Sequence, residues 1–155
     1  MGSAEVWRRH ANPWSVWTRF AAIPAMAAAV WSRTSLGWWA AAPVALVVLW
    51  LVLNPFAFAP VTQPTAWSSR GIFGEQLWLH GAVTLSAGSR RMLRLLVVVG
   101  FAGMVVFVYG LVRLEPWPTA HGMTVIVMAQ LWRIDRFAAI YDRTSGPAAD
   151  GEFPR

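Results

Sequence analysis

The sequence contains no cysteine, and its thirteen basic residues are all arginine, with no lysine. Only 13% of the 155 residues are charged, whereas 57% are hydrophobic. The lack of cysteine excludes disulfides, thiol catalysis and thiolate metal sites. A chain this apolar is not typical of a disordered protein or of a water-soluble enzyme. A glycine-rich phosphate loop, a nucleophile elbow and a dinucleotide fingerprint are also missing, so no common motif indicates an enzymatic activity.

Two long uncharged runs are the strongest signal that the sequence does contain. Leu36 to Leu53 and Leu95 to Val112 are each 18 residues long and carry no charged side chain. About 20 apolar residues in a helix match the ~30 Å hydrocarbon core of a bilayer. These runs therefore predict membrane-spanning helices.

We predict an all-α fold, an integral membrane bundle of about four transmembrane helices in two helical hairpins. Asn12-Pro13 is typical of a helix start. Asn54-Pro55 predicts a helix end, because proline disfavours helical geometry in the residue before it. A short interfacial helix is predicted around Trp67 to Leu79. The chain is predicted to have three parts: a cytoplasmic N-terminal segment 1–12, a transmembrane domain 13–143 and a disordered cytoplasmic tail 144–155. Within the transmembrane domain, the predicted spans are at about 13–31, 36–53, 92–114 and 118–137, and a cytoplasmic loop 54–91 joins the second span to the third.

The arginines predict the orientation of this bundle. With four spans, eleven arginines lie on the side of the two termini and the central loop, and only Arg33 and Arg113 lie on the other. Basic residues accumulate on the cytoplasmic side of membrane proteins. We therefore predict a multi-pass protein of the cell inner (plasma) membrane with both termini in the cytoplasm.

Two acidic residues at the predicted cytoplasmic boundary, Glu75 and Asp135, are the catalytic candidates. An acid beside an arginine at an interface positions a phosphate or acts as a base. The alternative is a salt bridge that pins the loop to the helix ends. The three histidines, His10, His80 and His121, have no metal-binding spacing. No metal and no cofactor are predicted.

A second set of residues predicts contact with an anion or a lipid headgroup. Cationic donors near one membrane surface suit anionic headgroups, whereas ordinary interfacial anchoring uses the same residue types. The predicted headgroup or anion ligands are Arg8, Arg9, Arg19, Arg70 and Arg136. The predicted interfacial anchors are Trp14, Trp17 and Trp132.

The segment from His10 to Arg19, HANPWSVWTR, resembles the opening of a family of small multi-pass prokaryotic membrane proteins known only as a domain of unknown function. Leu53-Asn54-Pro55, the stretch Arg70 to Trp78 and the stretch Leu131 to Arg136 are similar to later motifs of that family. The resemblance covers most of residues 8 to 142. It implies no activity, but its motifs all map to the predicted cytoplasmic edge.

The function predicted from these features is that of a non-enzymatic membrane component, either an accessory subunit or a lipid-associated protein. One alternative is a membrane-interface enzyme that acts on a phosphorylated lipid at the cytoplasmic face. A second is a small transporter or channel subunit, suggested by His121 and Gln130 in an apolar helix. The predicted partners are membrane lipids, anionic ones included, and a membrane protein partner or a second copy of the chain. No nucleic acid is expected, since no basic helix or RNA-type motif is present.

Overall fold

The computed structural model describes residues 3–145, and the secondary structure in this part of the chain is entirely helical. The predicted all-α fold is thereby confirmed for the described residues. By length and composition, two segments could cross a membrane, Pro13–Ala57 and Ala87–Arg113. The helices are α1 (Ser3–His10), α2 (Pro13–Trp31), α3 (Arg33–Leu36), α4 (Ala41–Ala57), α5 (Trp67–Leu79), α6 (Ala87–Arg113) and α7 (Pro116–Ser145), with a 3-10 turn at Gly37–Ala40 before α4.

Helices α2 and α4 form an antiparallel hairpin. Asn12 caps α2, because its side-chain oxygen accepts a hydrogen bond from the Trp14 amide, and Pro13 occupies the first helical position. Asn54, near the end of α4, hydrogen-bonds to Ser15 and Thr18 near the start of α2. Within the Pro13–Ala57 segment, α4 therefore runs back along α2 in the opposite direction.

Helices α6 and α7 form a second antiparallel pair, held at small residues. A Cβ atom on Gly103 would lie 2.8 Å from Cγ1 of Val125. Gly110 packs on the backbone of Thr119, and Gly122 packs on the backbone of Phe107. Glycines at these positions let the two backbones approach each other closely.

The ends of the two pairs coincide. At one end, Arg33 donates hydrogen bonds to the carbonyl groups of Leu111 and Val112, so the turn after α2 caps the end of α6. At the other end, α1 and α5 pack on each other and on the start of α2 around Ala11, Val16 and Ile72, and α5 also packs on α7. We call this second end the arginine-rich end, because it holds Arg8, Arg9, Arg19, Arg70, Arg90, Arg91, Arg94, Arg133, Arg136 and Arg143.

The prediction that Asn54-Pro55 ends the second helix is wrong, because α4 continues to Ala57 with Pro55 in its last turn. The hydrogen bonds from Asn54 to α2 hold this residue in a helical position that its proline neighbour disfavours. The helix also begins later than residue 36. Gly37 has φ +54°, a left-handed conformation that suits glycine, and a 3-10 turn intervenes before Ala41.

Other boundaries extend beyond the predicted ones. Segment 1–12 contains α1, a helix that was not predicted. Loop 54–91 contains α5, which has the predicted bounds Trp67–Leu79. Helix α6 begins at Ala87 rather than at residue 92, since Ser86 caps it by accepting a hydrogen bond from the Ser89 amide. Helix α7 continues through Ser145, so the predicted disordered tail does not begin at residue 144. Residues 146–155 of that tail lie outside the described part of the chain.

Candidate anion-binding site at the arginine-rich end

A chain of buried hydrogen bonds joins the N-terminal motif to α4. Asn54 and Ser15 are completely buried, and the Ser15 hydroxyl donates to Oδ1 of Asn54 over 2.6 Å. The Asn54 amide then donates to the Thr18 hydroxyl at 2.7 Å, and Thr18 in turn donates to the Trp14 carbonyl. Each of these polar groups has a hydrogen-bond partner in the protein, so the motif stabilises the contact between α2 and α4.

Two predicted anion ligands, Arg9 and Arg19, bind carbonyl groups of the protein instead. Arg9 pairs with Glu5 at 3.0 Å and donates to the carbonyl of Phe58. Arg19 donates to the carbonyls of Ser15 and His10 at 3.0 and 2.9 Å. Of the predicted set, Arg8 has an exposed side chain with no ion pair to any described residue.

The remaining predicted ligands, Arg70 and Arg136, are paired with carboxylates. Nε of Arg70 lies 3.3 Å from Oδ1 of Asp142, and Nη2 of Arg136 lies 2.8 Å from Oδ2 of Asp135. Trp67 also donates to Asp135 through its indole, at 3.4 Å. The Arg70–Asp142 pair and the Trp67–Asp135 hydrogen bond link α5 to α7, whereas Arg136 and Asp135 are neighbours within α7. Both arginines that the sequence assigned to a ligand thus lie beside a carboxylate of the protein.

The two catalytic candidates do not share a site. Glu75 forms an ion pair with Arg133 over 3.2 Å, and both side chains are less than a third exposed. Asp135 instead lines an apolar groove between α6 and α7, beside Leu131 and Trp132. The structure therefore does not gather Arg19, Arg70, Glu75, Asp135 and Arg136 around one cavity.

The Glu75–Arg133 pair forms one wall of a cavity of about 270 Å³ between α5, α6 and α7. Arg90 and Arg94 of α6 also border it, and both of their side chains are exposed. Three arginines and one glutamate thus surround a cavity whose lining is mostly apolar. Sequence reasoning missed Arg90 and Arg94 as site residues, although their spacing of four residues places both on one face of a helix.

The predicted anchors are exposed aromatic side chains. Trp14 is 70% exposed, and Trp17 and Trp132 are each about half exposed. Trp17 also stacks on Trp67 of α5, with ring centroids 6.4 Å apart. All three belong to the arginine-rich end or its border.

The histidines lie apart from one another. His80 and His121 each place Nδ1 2.8 Å from the carbonyl four residues earlier in their own helix. His10 lies at the end of α1, where burial, with the charge of Arg19 as the smaller cause, lowers the pKa of its imidazole below the ordinary value of 6.5. In residues 3–145 no three histidine or acidic side chains come together as a metal site.

The fold and this site define an all-helical protein with two paired helical hairpins and a basic, cavity-bearing end. The chain belongs to DUF6653, described as a family of unknown function, whose sequence pattern matches residues 2–153. No curated protein and no solved structure matches the chain.

Proposed function

We propose that this protein is a multi-pass membrane protein whose four long helices, α2, α4, α6 and α7, cross the bilayer, and that it serves as a lipid-associated accessory component rather than as an enzyme. The observation that carries the proposal is an inverted distribution of polarity. Asn54, Ser15 and Ser69 are fully buried although they are polar, whereas the large apolar side chains of Trp38, Trp39 and Phe101 are each at least 70% exposed. In a water-soluble protein, apolar side chains of that size are mostly buried.

The outside of α6 shows the same inversion. Leu95, Val98, Phe101, Val105 and Val112 are all more than half exposed, although they lie in the most apolar part of the chain. Only 28% of the most apolar window of α6, and 6% of that of the α2–α4 segment, is buried. A core helix of a soluble protein would be mostly buried, and so large an apolar surface is costly in water. Lipid tails remove that cost.

The lengths of the helices and the positions of the tryptophans support the same proposal. The 27 residues of α6 extend about 40 Å, more than the ~30 Å that a span requires. Exposed tryptophans occur at both ends of the bundle, Trp14 and Trp132 at the arginine-rich end and Trp38, Trp39 and Trp117 at the other. Aromatic belts at both interfaces have this arrangement.

Helix α7 is less apolar, but three of its polar side chains lie against carbonyl groups one turn earlier in the chain. Thr119 and Thr124 donate to the carbonyl groups four residues before them, at 2.7 and 2.9 Å. His121 is similarly placed against Trp117. Polar groups bonded in this way are compatible with a bilayer, and the glycine contacts with α6 cover one face of α7.

The lack of cysteine makes the topology directly testable, since each single-cysteine variant carries one thiol. We would express Ser35→Cys, Thr84→Cys and Thr144→Cys in intact cells and add a membrane-impermeant maleimide. Ser35→Cys should react from outside, whereas Thr84→Cys and Thr144→Cys should react only after the cells are opened, because the basic side faces the cytoplasm. Reaction of Ser35→Cys and Thr84→Cys from the same side would refute the four-span arrangement.

Val105→Cys is the matched control for membrane embedding. Val105 is 54% exposed on the middle of α6, so its thiol is accessible in the isolated chain. The thiol should nevertheless stay unreactive in opened membranes and react only after solubilisation and unfolding. Labelling as fast as that of Thr84→Cys would show that this face meets water and would overturn the membrane proposal.

The accessory role is tested by native mass spectrometry of the protein extracted in mild detergent. A second polypeptide at fixed stoichiometry, or anionic lipid retained on the protein, supports the proposal. Turnover of a phosphorylated lipid by the purified protein, abolished by Glu75→Ala, would replace it with the enzymatic alternative.

A further inference from the structure

We infer that the cavity between α5, α6 and α7 binds the phosphate of an anionic lipid headgroup, through Arg90, Arg94 and Arg133. This inference rests on the proposed membrane function and gives it a specific site. Three arginines and one glutamate border the cavity, whose lining surface is otherwise mostly apolar, so the side chains around it have a net charge of plus two. Guanidinium groups bind phosphate through paired hydrogen bonds, which makes arginine the side chain suited to such a ligand.

Within residues 3–145, the charges around this cavity are only partly balanced. Glu75 neutralises Arg133. Arg90 and Arg94 have no carboxylate partner among residues 3–145, and Arg94 reaches only the carbonyl of Arg90, at 3.4 Å. Two guanidinium groups therefore remain available to a bound anion.

The position of Arg90 and Arg94 on α6 is unfavourable without an anion. Like charges four residues apart on a helix repel each other. Arg90 also lies in the first turn of α6, next to the positive end of the helix dipole, and that turn contains no acidic residue. A phosphate between the two side chains would relieve both the repulsion and the unfavourable dipole interaction.

The apolar part of the cavity favours a lipid over a free phosphate. Trp78 and Phe137 contribute aromatic surface, with ring centroids 5.7 Å apart. Val97 lines the cavity one turn beyond Arg94, at the beginning of the apolar run, and is itself 53% exposed. The exposed arginines thus lie beside the cavity, and apolar side chains continue from it along α6. An amphiphile with a phosphate head and an acyl chain matches this order.

The volume of the cavity is consistent with a headgroup. About 270 Å³ is roughly nine times the ~30 Å³ that a water molecule occupies in the liquid. This space holds a phosphate and its glycerol linkage but not a whole phospholipid. The acyl chains would then lie outside the cavity, against the exposed face of α6.

The test is a titration of the full-length protein, purified in a neutral detergent, with dioctanoyl phosphatidylglycerol. Dioctanoyl phosphatidylcholine and inorganic phosphate are titrated separately, and binding is followed by the shift in melting temperature and by thermophoresis. We expect saturable binding of phosphatidylglycerol and much weaker binding of the other two. Equal binding of inorganic phosphate would identify a free-anion site and overturn the assignment to a lipid.

Arg94→Gln and its neighbour Arg91→Gln form a matched pair. Arg91 is exposed on the same stretch of α6, carries the same charge and does not line the cavity. Loss of a charged hydrogen bond in Arg94→Gln should weaken phosphatidylglycerol binding about tenfold or more, whereas Arg91→Gln should bind as the unmodified protein does. Equal weakening by both substitutions would indicate a diffuse surface charge and refute a defined site.

Glu75→Gln should increase the affinity for phosphatidylglycerol, and a misfolded variant would not show such an increase. Removal of this carboxylate frees Arg133 and raises the net charge of the cavity from two to three. Phosphatidylglycerol should therefore bind several-fold more tightly. Unchanged or weaker binding by a variant with an unchanged melting temperature would overturn the inference. Cysteine labelling of Arg94→Gln separates the two proposals, because it should show unaltered topology even when lipid binding is lost.

Discussion

Gly74 lies where α5 crosses α7, and the geometry of this crossing gives a quantitative prediction. A Cβ atom at Gly74 would collide with the carbonyl oxygen of Phe137 and would lie only 2.8 Å from its carbonyl carbon. Both atoms belong to the backbone, so no side-chain rotation can relieve the contact. The substitution Gly74→Ala must therefore move α5 away from α7.

Two opposing free energies determine the magnitude. Alanine favours a helix over glycine by about 1 kcal/mol. Overpacking of a close contact costs ~1–3 kcal/mol, and the displacement also disturbs the Glu75–Arg133 pair and the contact of Trp78 with Phe137. We expect a net loss of about 2 kcal/mol in the free energy of unfolding. For a domain of this size that corresponds to a fall of about 4–8 °C in melting temperature.

Gly88→Ala is the control, since Gly88 is also helical but exposed. The nearest atom to its added Cβ would be the Ser86 hydroxyl oxygen, 3.9 Å away. Only the gain in helix propensity remains, so this variant should be unchanged or up to about 1 kcal/mol more stable. Both variants would be melted in the same detergent and followed by tryptophan fluorescence. If Gly74→Ala is as stable as Gly88→Ala, the close crossing of α5 and α7 is refuted.

Two further predictions concern the motif at the start of α2. Asn54→Ala leaves the buried Ser15 hydroxyl without its acceptor and should lower the free energy of unfolding by ~1–3 kcal/mol in detergent melts. The control Ser35→Ala removes an exposed hydroxyl and should change the free energy of unfolding little. Equal effects of the two substitutions would contradict the role of Asn54. His10 has a lowered pKa in the folded protein, so below about pH 6.5 the unfolded chain takes up the proton more readily, and stability should fall as the pH is lowered from about 7.5 to about 5. His10→Gln should reduce this pH dependence of the melting temperature, and an identical pH profile for the variant would show that other groups cause it.

The sequence predicted the helices where their signals are local. The uncharged run Leu95 to Val112 predicted α6, Asn12-Pro13 predicted the start of α2, and the stretch from Trp67 to Leu79 predicted α5 with the observed bounds. Local signals failed where tertiary contacts decide. Pro55 is tolerated in α4 because Asn54 is held by residues of α2, 36 and 39 positions earlier in the chain. No local pattern reveals that pairing.

The candidate site was harder to predict than the fold, because a positive charge does not show whether it is already neutralised. Arg9, Arg19, Arg70 and Arg136 were predicted as ligands from their motifs, yet each binds a carbonyl or a carboxylate of the protein. Their partners come from other helices or from residues whose orientation the sequence does not fix. The spacing of Arg90 and Arg94 was visible in the sequence, but their position opposite Glu75 and Arg133 requires the packing of three helices.

This division of the arginines changes what the charge excess at one end of the molecule implies. Arginines that bind backbone carbonyls, such as Arg9 and Arg19, are part of the fold and would be needed whatever ligand the protein binds. Arg90 and Arg94 contribute no such bond to another helix, and their charges disfavour the start of α6. A protein retains an unfavourable pair of this kind at little cost if a ligand neutralises it. The lipid-binding experiment on Arg94 and Arg91 therefore tests whether the Arg90–Arg94 pair, rather than the positive charge of this end as a whole, recognises a phosphate.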